Sequence, residues 1–239
     1  MNKYILMDAD VLAYRSAWSE NTLSEETALL KLDELIGDIL QEVDPYGTKS
    51  NQKYFLTGRG NFRHDIAKTA VYKGNRKDTE KPIHLAAIRN YLITKYDAHI
   101  SDGNEADDMI GIYANMHGYG NVVIVSVDKD FEQIPTTIFN PTKWTWKTVE
   151  PWGATKNFYK QILTGDRVDN IMGIMGVGPV KAERILEGCD SEKSLFWACV
   201  EAYSELDKYD DTLPEDRVVE NARLLYIQRN YDELWEPPI

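Results

Sequence analysis

The chain has 239 residues, of which 43% are apolar and 28% charged, and its formal net charge is −12. This length suits one domain of ordinary size with a small appendage, which can bury a core without disulfides. The two cysteines, Cys189 and Cys199, are too few for a disulfide framework and predict a reduced, cytoplasmic protein. No apolar run approaches the ~20 residues that span a membrane. No secretion signal is evident either, so the pattern excludes membrane, secreted and fibrous classes.

The charge is unevenly distributed along the chain. Residues 53–95 contain 10 basic and 3 acidic residues, a net charge of +7 within an acidic protein. Salt screens charges that lie more than ~8–10 Å away. A locally basic stretch can therefore bind phosphate although the whole chain is acidic, and the composition does not exclude a nucleic-acid partner.

Hydrophobic periodicity predicts alternating strands and helices over residues 1–140. The predicted strands are 4–7, 53–57, 97–101, 122–127 and 137–139, and the predicted helices are 22–43, 83–96 and 104–117, the last with Asn104 as N-cap. The basic residues 61–81 are rich in turn formers and predict an exposed loop or mobile helices. This alternation predicts an α/β fold, with a mainly parallel sheet covered by helices on both faces.

The second part of the chain has a different pattern. From about Pro151 no strand is predicted, and helices are expected at 155–163, 179–187, 191–203 and 214–230, before an irregular tail at 235–239. We therefore predict an α/β core over 1–152, with a basic segment at about 59–82, and a helical part over 153–239. Trp144 and Trp146 alternate with threonines, which favours strand packing over base stacking.

Acidic residues stand where an α/β sheet places its functional groups, beyond the carboxyl ends of the strands. Some follow predicted strands, some stand in a first helical turn, and some lie in the turn where the helical part begins. They are Asp8, Glu105, Asp107, Asp108, Asp128, Asp130, Asp166 and Asp169. Each alone has a structural explanation, as a complement to a helix dipole, a cap or a surface turn.

Considered together, these acids predict a metal site. Carboxylates that converge at one sheet edge repel each other strongly unless cations neutralise them. Hard oxygen ligands select Mg²⁺ or Mn²⁺, and the four histidines are too scattered to indicate zinc.

Two further segments are candidates for phosphate contacts. Residues 72–77, Tyr-Lys-Gly-Asn-Arg-Lys, lie in the basic segment, although most charged runs are only solvated surface. Residues 173–182 form a glycine hairpin that opens a helix, with Pro179 in the first turn. Glycines let backbone N–H groups approach a phosphate; the alternative is a tight turn between two helices.

Six blocks in this order resemble the 5′-nuclease family, which comprises flap endonucleases, the 5′-nuclease domain of bacterial DNA polymerase I and bacteriophage 5′-to-3′ exonucleases. The blocks are Asp8 with Arg15, residues 72–76, residues 104–108, residues 126–130, residues 165–170 and residues 173–182. The resemblance covers nearly the whole chain and is strongest to the phage branch. It implies a PIN-like nuclease core and a helical part that carries a helix–three-turn–helix DNA-binding motif.

The resemblance also implies roles for individual residues in a two-metal phosphodiesterase that uses two Mg²⁺ ions, for which Mn²⁺ can substitute. The first ion is assigned to Asp8, Glu105, Asp107, Asp108 and Asp128, with Asp130 shared, and the second to Asp166 and Asp169. Lys73 and Arg76 would stand at the base of an arch that receives the 5′ strand, and Arg15 near the scissile phosphate. DNA would also contact Tyr72, Arg63, Gly176, Gly178 and Lys181, with a potassium ion at the glycine hairpin.

The implied activity is structure-dependent cleavage near the 5′ end of double-stranded DNA, at an end, a nick or a 5′ flap, or in an RNA–DNA hybrid. We expect a monomer without a membrane partner, acting in phage DNA replication, recombination or primer removal in the host cytoplasm. The chemistry agrees, because two ions roughly 3.5–4 Å apart activate water, stabilise the leaving oxygen and clamp the phosphoryl group.

One position departs from the family pattern. The family usually has an aspartate after the second strand, and here that place falls on Gly58. We expect water to fill the ligand position, and we expect Gly58→Asp to tighten Mg²⁺ binding if its side chain faces the ions.

Two other classes of protein remain open at this point. Asp8-Ala9-Asp10 after a strand and Gly165-Asp166 resemble haloacid-dehalogenase phosphatases, with Asp8 as nucleophile and Asp10 as acid and base. That fold needs a strand before its Gly-Asp motif, where residues 159–163 predict helix. The second alternative is a DNA-binding module that has lost catalysis.

Overall fold

A six-stranded sheet forms the centre of the N-terminal part in the computed structural model. The described residues are 3–19, 21, 23–45, 51–76, 80–206 and 213–238, excluding the side chains of Ser19 and Arg76. The strands are β1 (Tyr4–Asp8), β2 (Gln52–Arg59), β3 (His99–Asp102), β4 (Val122–Val125), β5 (Thr137–Asn140) and β6 (Thr145–Thr148). Their order is β3-β2-β1-β4-β5-β6; the first five pair in parallel, and β6 runs antiparallel to β5. The predicted mainly parallel sheet is confirmed.

Helices cover both faces of this sheet. They are α1 (Ala9–Ser19), α2 (Glu25–Val43), α3 (Arg63–Ile66), α4 (Leu85–Tyr96) and α5 (Ala106–His117). On one face, α1, α2 and α4 bury a core that includes Leu12, Leu32 and Leu92. On the other face, α5 packs Ile110 against Ile124 of β4. The sheet is therefore shielded from water on both sides, as a parallel sheet requires.

The C-terminal part is helical and has its own core. Its helices are α6 (Pro151–Thr164), α7 (Pro179–Ile185), α8 (Glu192–Leu206) and α9 (Pro214–Leu225). Tyr159, Phe196 and Trp235 lie in this core, whereas Ala154 at the start of α6 packs with the sheet. The predicted boundary at 152/153 falls inside α6, and the division into two domains stays a prediction.

Several elements differ from the sequence-based expectations. Helix α1 was not predicted, because its buried face consists largely of alanine and serine, which give a weak hydrophobic period. A short hairpin of β7 (Gly165–Asp166) and β8 (Ile171–Met172) lies where no strand was expected. The N-cap of α5 is Glu105 and not Asn104, and α9 ends at Leu225. The predicted start of α2 at residue 22 and part of the basic segment, residues 77–79, lie outside the described residues.

The segment after α9 returns to the α/β core and lies against α5. Gln133 connects the two parts, because its side chain donates to the Leu225 carbonyl at 2.9 Å and accepts from the Ile227 N–H at 2.9 Å. A Cβ at Gly111 of α5 would lie 2.4 Å from the Gln228 carbonyl oxygen, so only glycine permits this contact. Among the described helices, none is long and apolar enough to cross a membrane.

Candidate functional site

A cleft of about 820 Å³ opens at the carboxyl edge of β1 and β4. Acidic side chains from four separate segments line it, as the strand-end argument predicts for a parallel sheet. The eight carboxylates are those of Asp8, Asp10, Glu105, Asp107, Asp128, Asp130, Asp166 and Asp169. Fold and chemistry therefore place an oxygen-rich, negatively charged site at the edge where ligands of such sheets bind.

Asp8 lies deepest in the cleft. It is the last residue of β1 and is 4% exposed. Its carboxylate accepts hydrogen bonds from the Ser126 hydroxyl at 2.7 Å and from the Val11 N–H at 3.1 Å. Burial raises the pKa of Asp8 to about 7, and the charges of Asp10 and Asp128 add to the effect. The carboxylate is thus held in place by donors but remains costly to ionise without a cation.

The start of α5 brings two more carboxylates to the same side of the cleft. Glu105 caps the helix, and Asp107 stands in its first turn. Burial raises the pKa of Asp107 well above its usual value, and the charges of Asp8 and Asp128 raise it further. The charges of Asp8 and Glu105 therefore both act on the carboxyl group of Asp107.

The second group of carboxylates comes from the segment after β4 and from the β7–β8 turn. Asp130 accepts a hydrogen bond from the Gln161 amide at 2.6 Å. Burial raises the pKa of Asp130 to about 7, and the next contributions are the charges of Asp128 and Asp166. Asp166 accepts from the Val168 N–H at 2.7 Å, which fixes its carboxylate in the turn. Asp169 belongs to the same turn and lines the cleft.

Asp128 connects the two groups. Its charge raises the pKa of Asp8 and Asp107 in the first group and of Asp130 in the second. The largest charge effects on the pKa of Asp130 come from Asp128 and Asp166. Asp128 is thus the acid whose charge acts on both groups, a shared position that the resemblance gave to Asp130.

Two lysines balance part of this charge. The Lys73 ammonium forms an ion pair with Glu105 and lies 3.7 Å from Asp169. Lys129 lies 3.5 Å from Asp166. Within the described ranges, no three His, Cys, Asp or Glu side chains already stand close enough to hold one ion between them. Asp8, Asp130 and Asp166 instead accept hydrogen bonds from protein donors.

The basic segment, residues 59–82 and here called the arch segment, docks directly onto the β7–β8 turn. The Lys73 N–H donates to the Asp169 carbonyl at 2.8 Å, and the Asn170 amide donates to the Val71 carbonyl at 2.9 Å. Tyr72 is 3% exposed, and its hydroxyl donates to Asp169 at 2.9 Å. The ring of Tyr72 is therefore buried in the C-terminal core, and its predicted contact with DNA stays a prediction. The side chain of Arg76 lies outside the described residues.

Asp108 and Arg63 have a different role from the one predicted. Asp108 is 0% exposed, and its two carboxylate oxygens accept from the Arg63 guanidinium at 2.7 and 2.8 Å. The same carboxylate accepts from the Glu105 and Gln228 N–H groups, both at 3.1 Å. Arg63 is 3% exposed and also donates to the Leu224 carbonyl at 2.8 Å. The predictions of a metal ligand and of a DNA contact are wrong, because the two charges are buried against each other.

An acid that the metal-site prediction did not include lies beside the end of β2. Asp10 accepts from the Thr57 N–H at 2.7 Å and forms an ion pair with Arg89. The only signal for it is its position two residues after Asp8. Gly58 itself cannot carry the family's aspartate, because a Cβ there would lie 1.9 Å from the Ser101 carbonyl oxygen.

Other predicted residues lie away from the cleft. Arg15 is exposed, and its guanidinium donates to the Pro141 carbonyl at 2.6 Å, in the β5–β6 turn. Lys181 is exposed on α7, and the space where a Cβ would lie is open at both Gly176 and Gly178. Gly173 differs, because a Cβ there would lie 2.2 Å from the Thr164 backbone. Glycine at this position lets the β7–β8 hairpin pack closely against the end of α6.

The comparisons with known proteins agree with this fold. Residues 3–165 match the family model described as the 5′-3′ exonuclease, N-terminal resolvase-like domain. Since this is well over half of the chain, the protein belongs to that family. The 5′-3′ exonuclease of Mycoplasma genitalium is 29% identical over 216 residues, which cover 78% of this chain and 72% of that protein. DNA polymerase I of Bacillus caldotenax is 27% identical over 242 residues and 90% of this chain, but the chain spans only 26% of that protein.

Solved structures of the T5 D15 protein have the same fold. One was co-crystallised with metal ions and has a TM-score of 0.67, covering 93% of this chain and 88% of that one at 18% identity. Another, a bacteriophage T5 flap endonuclease variant in a pseudo-enzyme-product complex with DNA and metal ions, has a TM-score of 0.63 at 18% identity and covers 93% and 85%. At this identity the likeness shows the fold alone. It confirms the predicted resolvase-like α/β core with an α-helical C-terminal part.

The geometry at Gly58 predicts that restoring the family's aspartate destabilises the protein. Gly58→Asp should lower the free energy of unfolding by roughly 1–3 kcal/mol, because the new Cβ overlaps the backbone of β3. Urea denaturation measures this change. Gly120→Asp is the matched control, since a Cβ there meets nothing within 4 Å. A Gly58→Asp variant as stable as that control would show that β2 and β3 are less close than described.

The raised pKa values predict how stability depends on pH. A carboxyl group with a folded-state pKa of about 7, as at Asp8 and Asp130, stabilises the fold at low pH, and this contribution is lost as the pH rises towards 7. The melting temperature in EDTA should therefore fall between pH 5 and pH 8. Added Mg²⁺ should raise it more at pH 8, where the carboxylates are ionised.

Asp8→Asn is the control. This variant removes one of the two carboxyl groups with a raised pKa, so its melting temperature in EDTA should depend less on pH. Differential scanning calorimetry at both pH values gives the comparison. A melting temperature in EDTA that rises from pH 5 to pH 8 would contradict the assigned burial of these carboxylates.

Proposed function

We propose that the protein is a metal-dependent, structure-specific 5′ nuclease that cleaves phosphodiester bonds near the 5′ end of duplex DNA. The observation that carries this proposal is the shared cleft, in which two groups of carboxylates meet Lys73 at the base of the arch segment. The family to which the chain belongs and the named activities of its relatives support it. The chain spans only part of the polymerase relatives, so the proposal concerns nuclease activity alone.

The donor set fits two divalent cations. Every acidic ligand candidate offers oxygen atoms only, and burial together with mutual repulsion raises the pKa of Asp8, Asp107 and Asp130, which favours a cation nearby. We assign Asp8, Glu105 and Asp107 to the first ion, Asp130, Asp166 and Asp169 to the second, and Asp128 to both. Mg²⁺, with Mn²⁺ as a substitute, would lower the pKa of a bound water and stabilise the charge of the reacting phosphoryl group.

The residues of the chain itself position the substrate. Lys73 is 23% exposed in the cleft, so its ammonium can leave Glu105 and bind a phosphate oxygen when cations neutralise the carboxylates. We propose the same contact for Arg76. Lys129, 67% exposed beside Asp166, is a further cation that sequence analysis did not single out.

The contact with the intact duplex is proposed at the glycine hairpin. The open backbone at Gly176 and Gly178 and the exposed Lys181 can meet phosphates without reading bases. A potassium ion at this hairpin, an RNA–DNA hybrid as substrate, a role in phage DNA replication and a monomeric state belong to the same proposal. The exposed Arg15, held on the β5–β6 turn, is not assigned to the scissile phosphate.

The two alternative functions lose their support. A phosphatase of the haloacid-dehalogenase type needs Asp10 to take up and release a proton, but here Asp10 is paired with Arg89. Residues 159–163 also lie in helix α6 and not in a strand. A DNA-binding module without catalysis would have no use for eight carboxylates in one cleft, because they repel DNA.

The testing experiment is digestion of three 5′-labelled substrates, a blunt duplex, a nicked duplex and a duplex with a 5′ flap, with Mg²⁺ or with EDTA. We expect cleavage near the 5′ end only with Mg²⁺, and faster cleavage of the flap or the nick than of the blunt duplex. Binding of all three substrates without cleavage in Mg²⁺ or Mn²⁺ would support the inactive module.

Catalysis and binding should separate at Asp128. Asp128→Asn should reduce turnover in Mg²⁺ to below about a tenth of wild type, a cost of at least ~1.4 kcal/mol in barrier. Duplex affinity should stay equal or improve, because one charge that repels phosphate is gone. Cleavage assays and fluorescence anisotropy measure the two effects. Asp102→Asn, an exposed acid at the end of β3, is the control and should change neither.

Substitutions of the lysines at the two proposed contacts with DNA should have different effects, one on cleavage and the other on binding. Lys73→Ala should slow single-turnover cleavage about a hundredfold, as expected for the loss of one group that stabilises the transition state, with little change in duplex affinity. Lys181→Ala should instead weaken binding to any sequence and lower the slope of log affinity against log salt by about one. If Lys73→Ala weakened binding and Lys181→Ala slowed cleavage instead, the two contacts with DNA would be assigned to the wrong lysines.

A further inference from the structure

Helix α9 carries a buried polar cluster that has no part in the chemistry proposed above. It consists of Arg217, Glu220 and Asn221, which are 4%, 9% and 1% exposed. Charged side chains are rarely buried to this extent, because removing them from water costs free energy that only well-placed partners offset. The partners of this cluster lie on three segments that are distant in sequence, the arch segment, β8 and α8.

Glu220 binds the arch segment. One carboxylate oxygen accepts from the N–H groups of Lys68 and Thr69, both at 2.7 Å, and the other accepts from the Thr69 hydroxyl at 2.6 Å. Arg217 also donates to the Thr69 hydroxyl. Three donors on one carboxylate, two of them backbone groups, fix the position and the direction of the chain at residues 68 and 69. Tyr72 and Lys73 follow a few residues later and enter the cleft.

Asn221, the next residue on α9, binds the root of the glycine hairpin. Its amide donates to the Met172 carbonyl at 2.8 Å and to the Tyr203 hydroxyl at 2.7 Å. Met172 is the last residue of β8 and directly precedes the hairpin that begins at Gly173. Two adjacent residues of α9 thus hold the arch segment and the start of the hairpin.

We propose that Glu220 is a positioning residue for cleavage, which fixes the arch segment at Lys68 and Thr69 so that Lys73 meets the scissile phosphate. The proposal rests on the nuclease function proposed above. It also connects two contacts with DNA, because α9 holds both the arch segment and the start of the glycine hairpin. A duplex bound at the hairpin and a 5′ strand at the arch segment then keep a fixed position relative to each other.

The other anchor of the arch segment cannot serve this purpose alone. That anchor is the β7–β8 turn, where Tyr72 and Lys73 bond to Asp169, a candidate metal ligand. Its contacts must change when cations and substrate enter. The contacts of Glu220 involve no candidate ligand, so they persist through the reaction and keep the base of the arch segment in register with the carboxylates.

The test uses Glu220→Gln, which removes the negative charge and leaves one acceptor oxygen for the three donors of Lys68 and Thr69. Glu215→Gln is the matched control, an exposed residue on the same helix with the same change in charge. Single-turnover cleavage of a 5′-flap duplex in Mg²⁺ should slow at least tenfold in Glu220→Gln and stay at the wild-type rate in the control. Duplex affinity in EDTA should change less than twofold.

Amide hydrogen exchange separates positioning from a general loss of structure. In Glu220→Gln the amides of Lys68 and Thr69 should exchange faster, while those of β4 keep their protection. An unchanged cleavage rate would overturn the proposal, and so would a slower rate accompanied by faster exchange throughout the sheet. If wild type cleaves no substrate, the proposed function fails, and the exchange data still test the contact.

A second pair of variants keeps the proposal falsifiable if Glu220→Gln does not fold. Thr69→Val removes the hydroxyl that donates to Glu220, and Thr69→Ser retains it. We expect slower single-turnover cleavage in the valine variant and the wild-type rate in the serine variant. Equal rates in the two variants would contradict the proposal.

Discussion

Repulsion among carboxylates is the constraint on which the rest of this structure depends. Eight of them line one cleft, and burial raises the pKa of those placed deepest. Such a group stays together only if bound protons or cations neutralise part of its charge. The arch segment supplies one cation from within the chain, since Lys73 pairs with Glu105. One residue of the stretch of net charge +7 thus balances an acid of the cleft.

The same constraint separates the three acids at the start of α5. Glu105 and Asp107 face the cleft, whereas Asp108 turns inward, where its charge is balanced by Arg63. A buried ion pair is not itself a strong source of stability, but removing either partner leaves an unpaired charge. Here Asp108 also accepts from the Gln228 N–H, and Arg63 donates to the Leu224 carbonyl. The pair therefore joins the arch segment, α5 and the C-terminal segment at one point.

The sequence allowed the sheet and most of the cleft to be predicted, because both depend on local rules. Apolar runs define the strands, and acids that follow parallel strands must meet at one edge, which located Asp8 and Asp128 correctly at the cleft. The length of α2 was also predictable from its period, since Leu32, Ile36 and Ile39 recur on one face. Helix α1 was not predicted, because small residues form its buried face.

The errors concern contacts between residues that are far apart in the chain. Nothing local distinguishes Asp108, which binds Arg63, from Asp107, which lines the cleft. The burial of the Tyr72 ring in the C-terminal core is likewise revealed only by the tertiary fold. The hairpin of β7 and β8 has two residues per strand, too few for any alternating pattern. Sequence patterns thus located the functional edge of the sheet but not the partner of each charge.

The central claim is that two divalent cations complete the charge balance of this cleft, with Asp128 between them. The most direct measurement is anomalous scattering from crystals grown with Mn²⁺. The account predicts two peaks roughly 4 Å apart, one beside Asp8 and Asp107 and the other beside Asp130 and Asp166, with the Lys73 ammonium moved away from Glu105. No peak in the cleft at millimolar Mn²⁺, or a peak ligated by Asp108, would contradict it.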